Sequence, residues 1–143
     1  MVAWQTTRSS TSSGRPTTTN SIVLDGIHAE EIKDSLEQDI DEELNHARMI
    51  GQRLKQHDAR PGASLEFEAR QAGLQLPEDS TDILSVIDGV IEAEEDAIET
   101  YRALIDAAEE ANDPVTEDLA VTLLSDEEAH RGEFHGFRKE YKD

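Results

Sequence analysis

Residues 119–137, LAVTLLSDEEAHRGEFHGF, carry Leu119, Leu123, Phe134 and Phe137 at helical spacing, and Glu127 and His130 occupy the same stripe where apolar residues belong. The step recurs upstream in residues 42–50, EELNHARMI. There Glu43 and His46 stand three apart on a pattern of Ile32, Leu36, Ile40, Glu43, Ala47, Ile50 and Leu54, with His46 beside Ala47. An i, i+3 spacing places both side chains over one face of a helix. A buried carboxylate or imidazole left unpaired costs on the order of several kcal/mol, so two core faces that each carry both need a compensating charge. A cation at the centre of a helical bundle supplies one.

Between these two stretches lies a third stripe, Ile83, Ile87, Val90, Ile91, Glu94, Ile98, Tyr101 and Ile105. Glu94 is its one acid, and Glu92, Glu95, Asp96 and Glu99 are expected to face solvent. The spacing predicts a first helix from about 25–28 to 56, ended by Arg60, Pro61 and Gly62. Residues 63–79 hold a short helical piece, LEFEARQAG, before Pro77. A second helix is expected to open at an Asp79 or Ser80 cap and to break at Asn112, Asp113 and Pro114, and a third to run from about 115 to 141. The expected fold is all-α, an antiparallel helical bundle of three clear helices plus a short connecting one.

The chain has 143 residues, 36% of them hydrophobic and 4% aromatic, which suits one domain with a modest core. Its net charge of -20 disfavours nucleic acid and anionic membranes and favours cationic ligands. Spread along the chain, that acidity also fits a halophilic, high-salt cytoplasm, where screening removes most self-repulsion. With no cysteine, disulfides, zinc–thiolate sites and thiol nucleophiles are excluded, so any metal is held by oxygen and nitrogen. No apolar run approaches the roughly 18 residues of a membrane span, and the expected location is cytoplasmic.

Residues 1–20 differ from the acidic remainder, 21–143, being rich in Ser, Thr and Arg with no acidic residue. Two readings fit them. One is a disordered tail. The other is a frame error, because TTRSSTSSGRPTT, back-translated with GC-rich codons and shifted by one nucleotide, can encode an acidic amphipathic helix like those downstream.

Glu43, His46, Glu94, Glu127 and His130 are thus the candidate metal ligands. Three carboxylates and two imidazoles suit iron or manganese, and zinc also fits. Carboxylates can bridge two ions about 3.5–4 Å apart while imidazoles fix terminal positions, and two ferrous ions so held can deliver two electrons to dioxygen or peroxide. The other histidines, His28, His57 and His135, read as surface or capping residues, and Met49, Phe134, Phe137 and Tyr141 read as packing. Tyr101 reads as a buried hydroxyl bonded to a carboxylate.

On EELNHARMIGQRL, IEAEEDAIETYR and LAVTLLSDEEAH, the chain resembles the ferritin-like di-iron superfamily, most closely its bacterioferritin and rubrerythrin branches, over about residues 20–141. The resemblance implies that Glu43 and Glu127 bridge two irons, that His46 and His130 each bind one, and that Glu94 is a terminal ligand. It also implies that Asp126 and Glu42, one residue before each motif, orient the opposite imidazoles. The family's first helix, with one further Glu, would fall before Asn20, where this chain has Ser and Thr. That departure leaves one ligand and one bundle wall unaccounted for, which pairing into a homodimer or small assembly could offset. The haem-binding Met of bacterioferritins would fall at Leu44, so no haem is expected, and without cysteine a rubredoxin centre is excluded. The implied function is oxidation of Fe(II) by dioxygen or peroxide, in iron homeostasis or oxidative-stress defence. The alternatives are a rubrerythrin-like peroxidase with an external electron donor, and a non-catalytic truncated helical remnant or interaction module.

Overall fold

In a computed structural model of the chain, residues 22–27, 29–60 and 78–141 are described, and they form three long helices. These are α1 (Ala29–Gln56), α2 (Ile83–Glu110) and α3 (Pro114–Glu140). Residues 1–20 and the LEFEARQAG piece expected between the first two helices lie outside the described residues.

Local chemistry sets the helix ends. At the end of α2, Asn112 has φ 52°, the left-handed conformation that Asn tolerates better than most residues. The Asp113 N–H returns to the Ala108 carbonyl at 2.9 Å and the Asn112 N–H to that of Glu109 at 3.0 Å, closing a Schellman motif. Asp113 then caps α3 by accepting from the Thr116 N–H at 3.1 Å, with Pro114 in the first turn. The end of α1 uses the same device. Asp58 has φ 55°, and the Ala59 N–H bonds the Leu54 carbonyl at 2.9 Å. The α2 cap is Asp82, which accepts from the Ser85 N–H at 3.1 Å, rather than the expected Asp79 or Ser80. Asp79 is engaged one step earlier, accepting from both the N–H and the hydroxyl of Thr81 in a turn.

The tight turn makes α2 and α3 an antiparallel hairpin, pinned by Arg102 to Glu128 at 2.8 Å and by Arg138 to Asp88. The helix α1 runs antiparallel to α3. Its last turn is clamped to the α2–α3 turn by Arg53, which donates to the Asp113 carboxylate at 2.6 and 2.7 Å and to Thr116 Oγ1 at 2.8 Å, while His57 meets the same carboxylate at 3.0 Å. At the opposite end, Gly26 has φ 123°, reserved for glycine, and turns the chain into α1. Asp25 there bonds Ser80 through both backbone and side chain, each at 2.9 Å.

The core is divided along the bundle. One apolar cluster joins Leu24, Ala29, Ile32 and Leu36 to Val86, Ile87, Val90 and Ile91 of α2 and Phe134 and Phe137 of α3. A second joins Ala97, Tyr101 and Leu123, flanked by Met49, Ile50, Leu104, Leu119 and Leu124. Each fully buried Leu, Ile, Val or Phe contributes roughly 1.5–3 kcal/mol, so these two clusters hold the helices together. In sequence register, Glu43, His46, Glu94, Glu127 and His130 fall between them. Among the described residues no helix is long and apolar enough to cross a membrane.

Candidate metal centre

The side chains of Glu43, His46, Glu94, Glu127 and His130 are all buried, Glu127 completely, at 0% exposure. The acidic neighbours on α2, Glu92, Glu95, Asp96 and Glu99, are exposed. Two groups of three form in the interior. Glu43, His46 and Glu127 bring ligand-type atoms within 4.8 Å of one another, and so do Glu94, Glu127 and His130. Glu127 belongs to both. Among the described residues Glu43 enters one group and Glu127 both, whereas the resemblance implied that both carboxylates are shared.

Each imidazole turns Nδ1 inward to Glu127. His46 Nδ1 lies 3.3 Å from Glu127 Oε1, and His130 Nδ1 lies 3.8 Å from Oε2. The outward nitrogens meet carboxylates of the opposite helix, His46 Nε2 at 3.1 Å from Asp126 and His130 Nε2 at 2.8 Å from Glu42. A carboxylate can only accept here, so each Nε2 carries a hydrogen, and loss of the other ring proton to an entering cation would leave the Nδ1 lone pair facing the interior. Asp126 and Glu42 are therefore where the resemblance placed them. Glu42 is itself held by Gln38, whose amide donates to Oε1 at 2.9 Å.

Among the described residues, the buried atoms without a hydrogen-bond partner include His46 Nδ1, His130 Nδ1, Glu94 Oε2 and both oxygens of Glu127. Each such atom costs roughly 1–3 kcal/mol, more when charged, and one cation in each group would satisfy all five between them. The donor set, nitrogen and oxygen with no thiolate, suits iron, manganese or zinc.

The electrostatics divide the carboxylates. Burial, reinforced by the neighbouring Glu127 carboxylate, pushes Glu94 up to about 10. Burial acts on Glu127 in the same direction, but contacts with His130, His46 and Glu94 outweigh it and hold Glu127 well below the usual carboxylate range. For His130, burial opposes charge, yet Glu127, Asp39, Glu42 and Glu94 carry it up to about 10. His46 is likewise raised, with burial overcome by Glu127, Asp126 and Glu43. Without metal, Glu127 therefore favours its ionised form, both imidazoles are shifted toward the cation, and Glu94 is shifted toward the neutral acid.

Two buried polar residues escaped the sequence reading. Asp39, 4% exposed, lies one turn before Glu43, with Oδ1 3.8 Å from His130 Nε2 and Oδ2 without a hydrogen-bond partner among the described residues. Ser35, one turn further back, is also buried with an unpartnered hydroxyl. A signal existed in strict 4-3 alternation along α1, which runs Ile32, Leu36, Asp39, Glu43, His46 and Ile50. Of the remaining histidines, His57 and His135 are exposed, and His28 lies outside the described residues.

A comparison with protein-family models matches residues 17–142 to the Ferritin-like domain. A comparison with curated proteins gives no match.

Proposed function

The chain belongs to the ferritin-like domain family, and on that premise we propose that it is a di-iron protein that binds Fe(II) and oxidises it with dioxygen or peroxide. The observation that carries the reading is Glu127, wholly buried, shared by two ligand groups and facing two inward Nδ1 atoms. Glu43, His46 and Glu127 would hold one ion, and Glu94, Glu127 and His130 the other. Two ferrous ions side by side supply the two electrons that reduction of dioxygen to peroxide, or of peroxide to water, requires. The chain's own residues do the rest. Asp126 and Glu42 fix the imidazole tautomers, and Glu94 and the imidazoles give up protons as cations enter. The apolar clusters on either side keep the site dry, which strengthens each electrostatic contact. The cellular role that follows is iron homeostasis or oxidant defence in the cytoplasm, with Fe(II) and oxygen or peroxide as partners and a homodimer or small assembly as the working form.

The test is anaerobic loading with Fe(II), metal analysis, and stopped-flow exposure to oxygen or peroxide. Two ions per chain and oxidation without added reductant are expected. Turnover that depends on peroxide and an electron donor would favour the peroxidase alternative, and a chain that stays metal-free would overturn both.

Uptake should also depend on pH. Glu94 and His130, each with a pKa raised to about 10, hold protons at neutral pH that a cation must displace. Raising the pH from about 6 to 9 weakens that competition progressively, so apparent affinity is expected to rise and binding at pH 7 to release protons. Calorimetry in buffers of different ionisation enthalpy measures the release. Affinity indifferent to pH would contradict the assigned protonation states.

A further inference from the structure

His46 and His130 face Glu127 alike but are backed differently. Behind His46 stands Asp126, whose side chain is 44% exposed, so water screens its charge. Behind His130 stand two carboxylates, Glu42 at 2.8 Å and Asp39 at 3.8 Å, and the Asp39 side chain is only 6% exposed. From this asymmetry we infer that Asp39 is a positioning residue that ranks the two metal positions, so that the Glu94, Glu127 and His130 group takes a divalent cation first and releases it last.

The inference rests on the metal-binding reading above and extends it. A carboxylate behind a ligating imidazole fixes the ring and makes its other nitrogen a stronger donor, and the effect grows where solvent is excluded. Burial, with Glu133, Glu42 and Glu43 beside it, raises Asp39 to about 7, and of its charged neighbours His130 alone favours the ionised form. His130 is therefore the one cationic partner among them, and the Asp39 charge bears on that ring.

Packing gives no reason for an acid at this position. The 4-3 stripe of α1 asks for an aliphatic residue between Leu36 and Glu43, and Asp39 instead buries an oxygen with no hydrogen-bond partner among the described residues. Such an oxygen lowers the stability of the metal-free fold. An acid that weakens the empty protein and backs one of two otherwise matched imidazoles is placed for what that imidazole binds.

Anaerobic titration of the full chain with Co(II), followed by visible absorption and calorimetry, tests this. The wild type is expected to bind in two resolved steps, and Glu94→Gln, which alters the His130 group alone, identifies the tighter one by weakening it. Asp39→Asn is expected to weaken that same step about 10-fold or more, leave the other unchanged, and leave the unfolding temperature of the metal-free protein equal or higher. Asp126→Asn is expected to weaken the other step. A merely structural role for Asp39 would lower stability and both affinities together, and that result would overturn the inference. Two ions bound with neither step moved by Asp39→Asn would overturn it while leaving the proposed function intact. No cobalt uptake by the wild type would sink both.

Discussion

Glu127→Ala is expected to abolish uptake of both ions, whereas Glu43→Ala or Glu94→Ala is expected to cost one. The difference follows from membership. Glu127 is the carboxylate common to both ligand groups, and Glu43 and Glu94 each enter one. Without Glu127, His46 and His130 also lose the anion that faces both their Nδ1 atoms, at 3.3 and 3.8 Å. Each half-site would then offer one carboxylate and one imidazole, fewer ligands than the three protein groups usual even in open catalytic metal sites. The fold should survive, because the apolar clusters at either end of the bundle do not include Glu127. Metal analysis after anaerobic Fe(II) loading and desalting reads the result, with circular dichroism confirming helix content. Retention of two ions by a folded Glu127→Ala chain would refute the shared-ligand geometry.

The ligand positions could be read from the sequence because the chain breaks its own rule there. Glu94, Glu127 and His130 interrupt stripes otherwise apolar, and a bundle tolerates such interruptions only with compensation. On α1 the same reasoning found Glu43 and His46 but ran the stripe through Ile40 and Ala47, both only partly buried, and so missed Asp39. The two paths differ by one residue in phase. Apolar residues on both drew the reading toward the hydrophobic one, although the helix turns its more polar path inward, where Asp39 and Glu42 face His130. The α2 cap slipped for a related reason. Asp79, Ser80 and Asp82 are all good capping residues, and the choice was settled by Thr81, which occupies the Asp79 carboxylate. Local chemistry of that kind offers several equivalent acceptors within four residues, and periodicity cannot rank them.

Phe134→Ala should be the most destabilising single truncation in the bundle, costing about 3–5 kcal/mol. Phe134 is 0% exposed, lies in the larger of the two clusters that join all three helices, and packs edge-to-face on Phe137 with ring centroids 5.5 Å apart. Domains of this size are stable by only about 5–15 kcal/mol, so the loss approaches the whole for a protein that already buries unpartnered polar atoms in its metal-free state. A fall in unfolding temperature of roughly 10–20 °C is expected without metal. Phe134 stands one turn beyond His130 on α3, so the cavity would also loosen the ring's seat against Glu42 and weaken metal binding. Saturating Fe(II), held anaerobically, is expected to restore much of the lost temperature, because an ion that binds only the folded chain shifts unfolding by mass action. Thermal melts of wild type and variant, each with and without metal, measure both effects. A variant melting within a few degrees of wild type would mean that the three helices do not share the core described here.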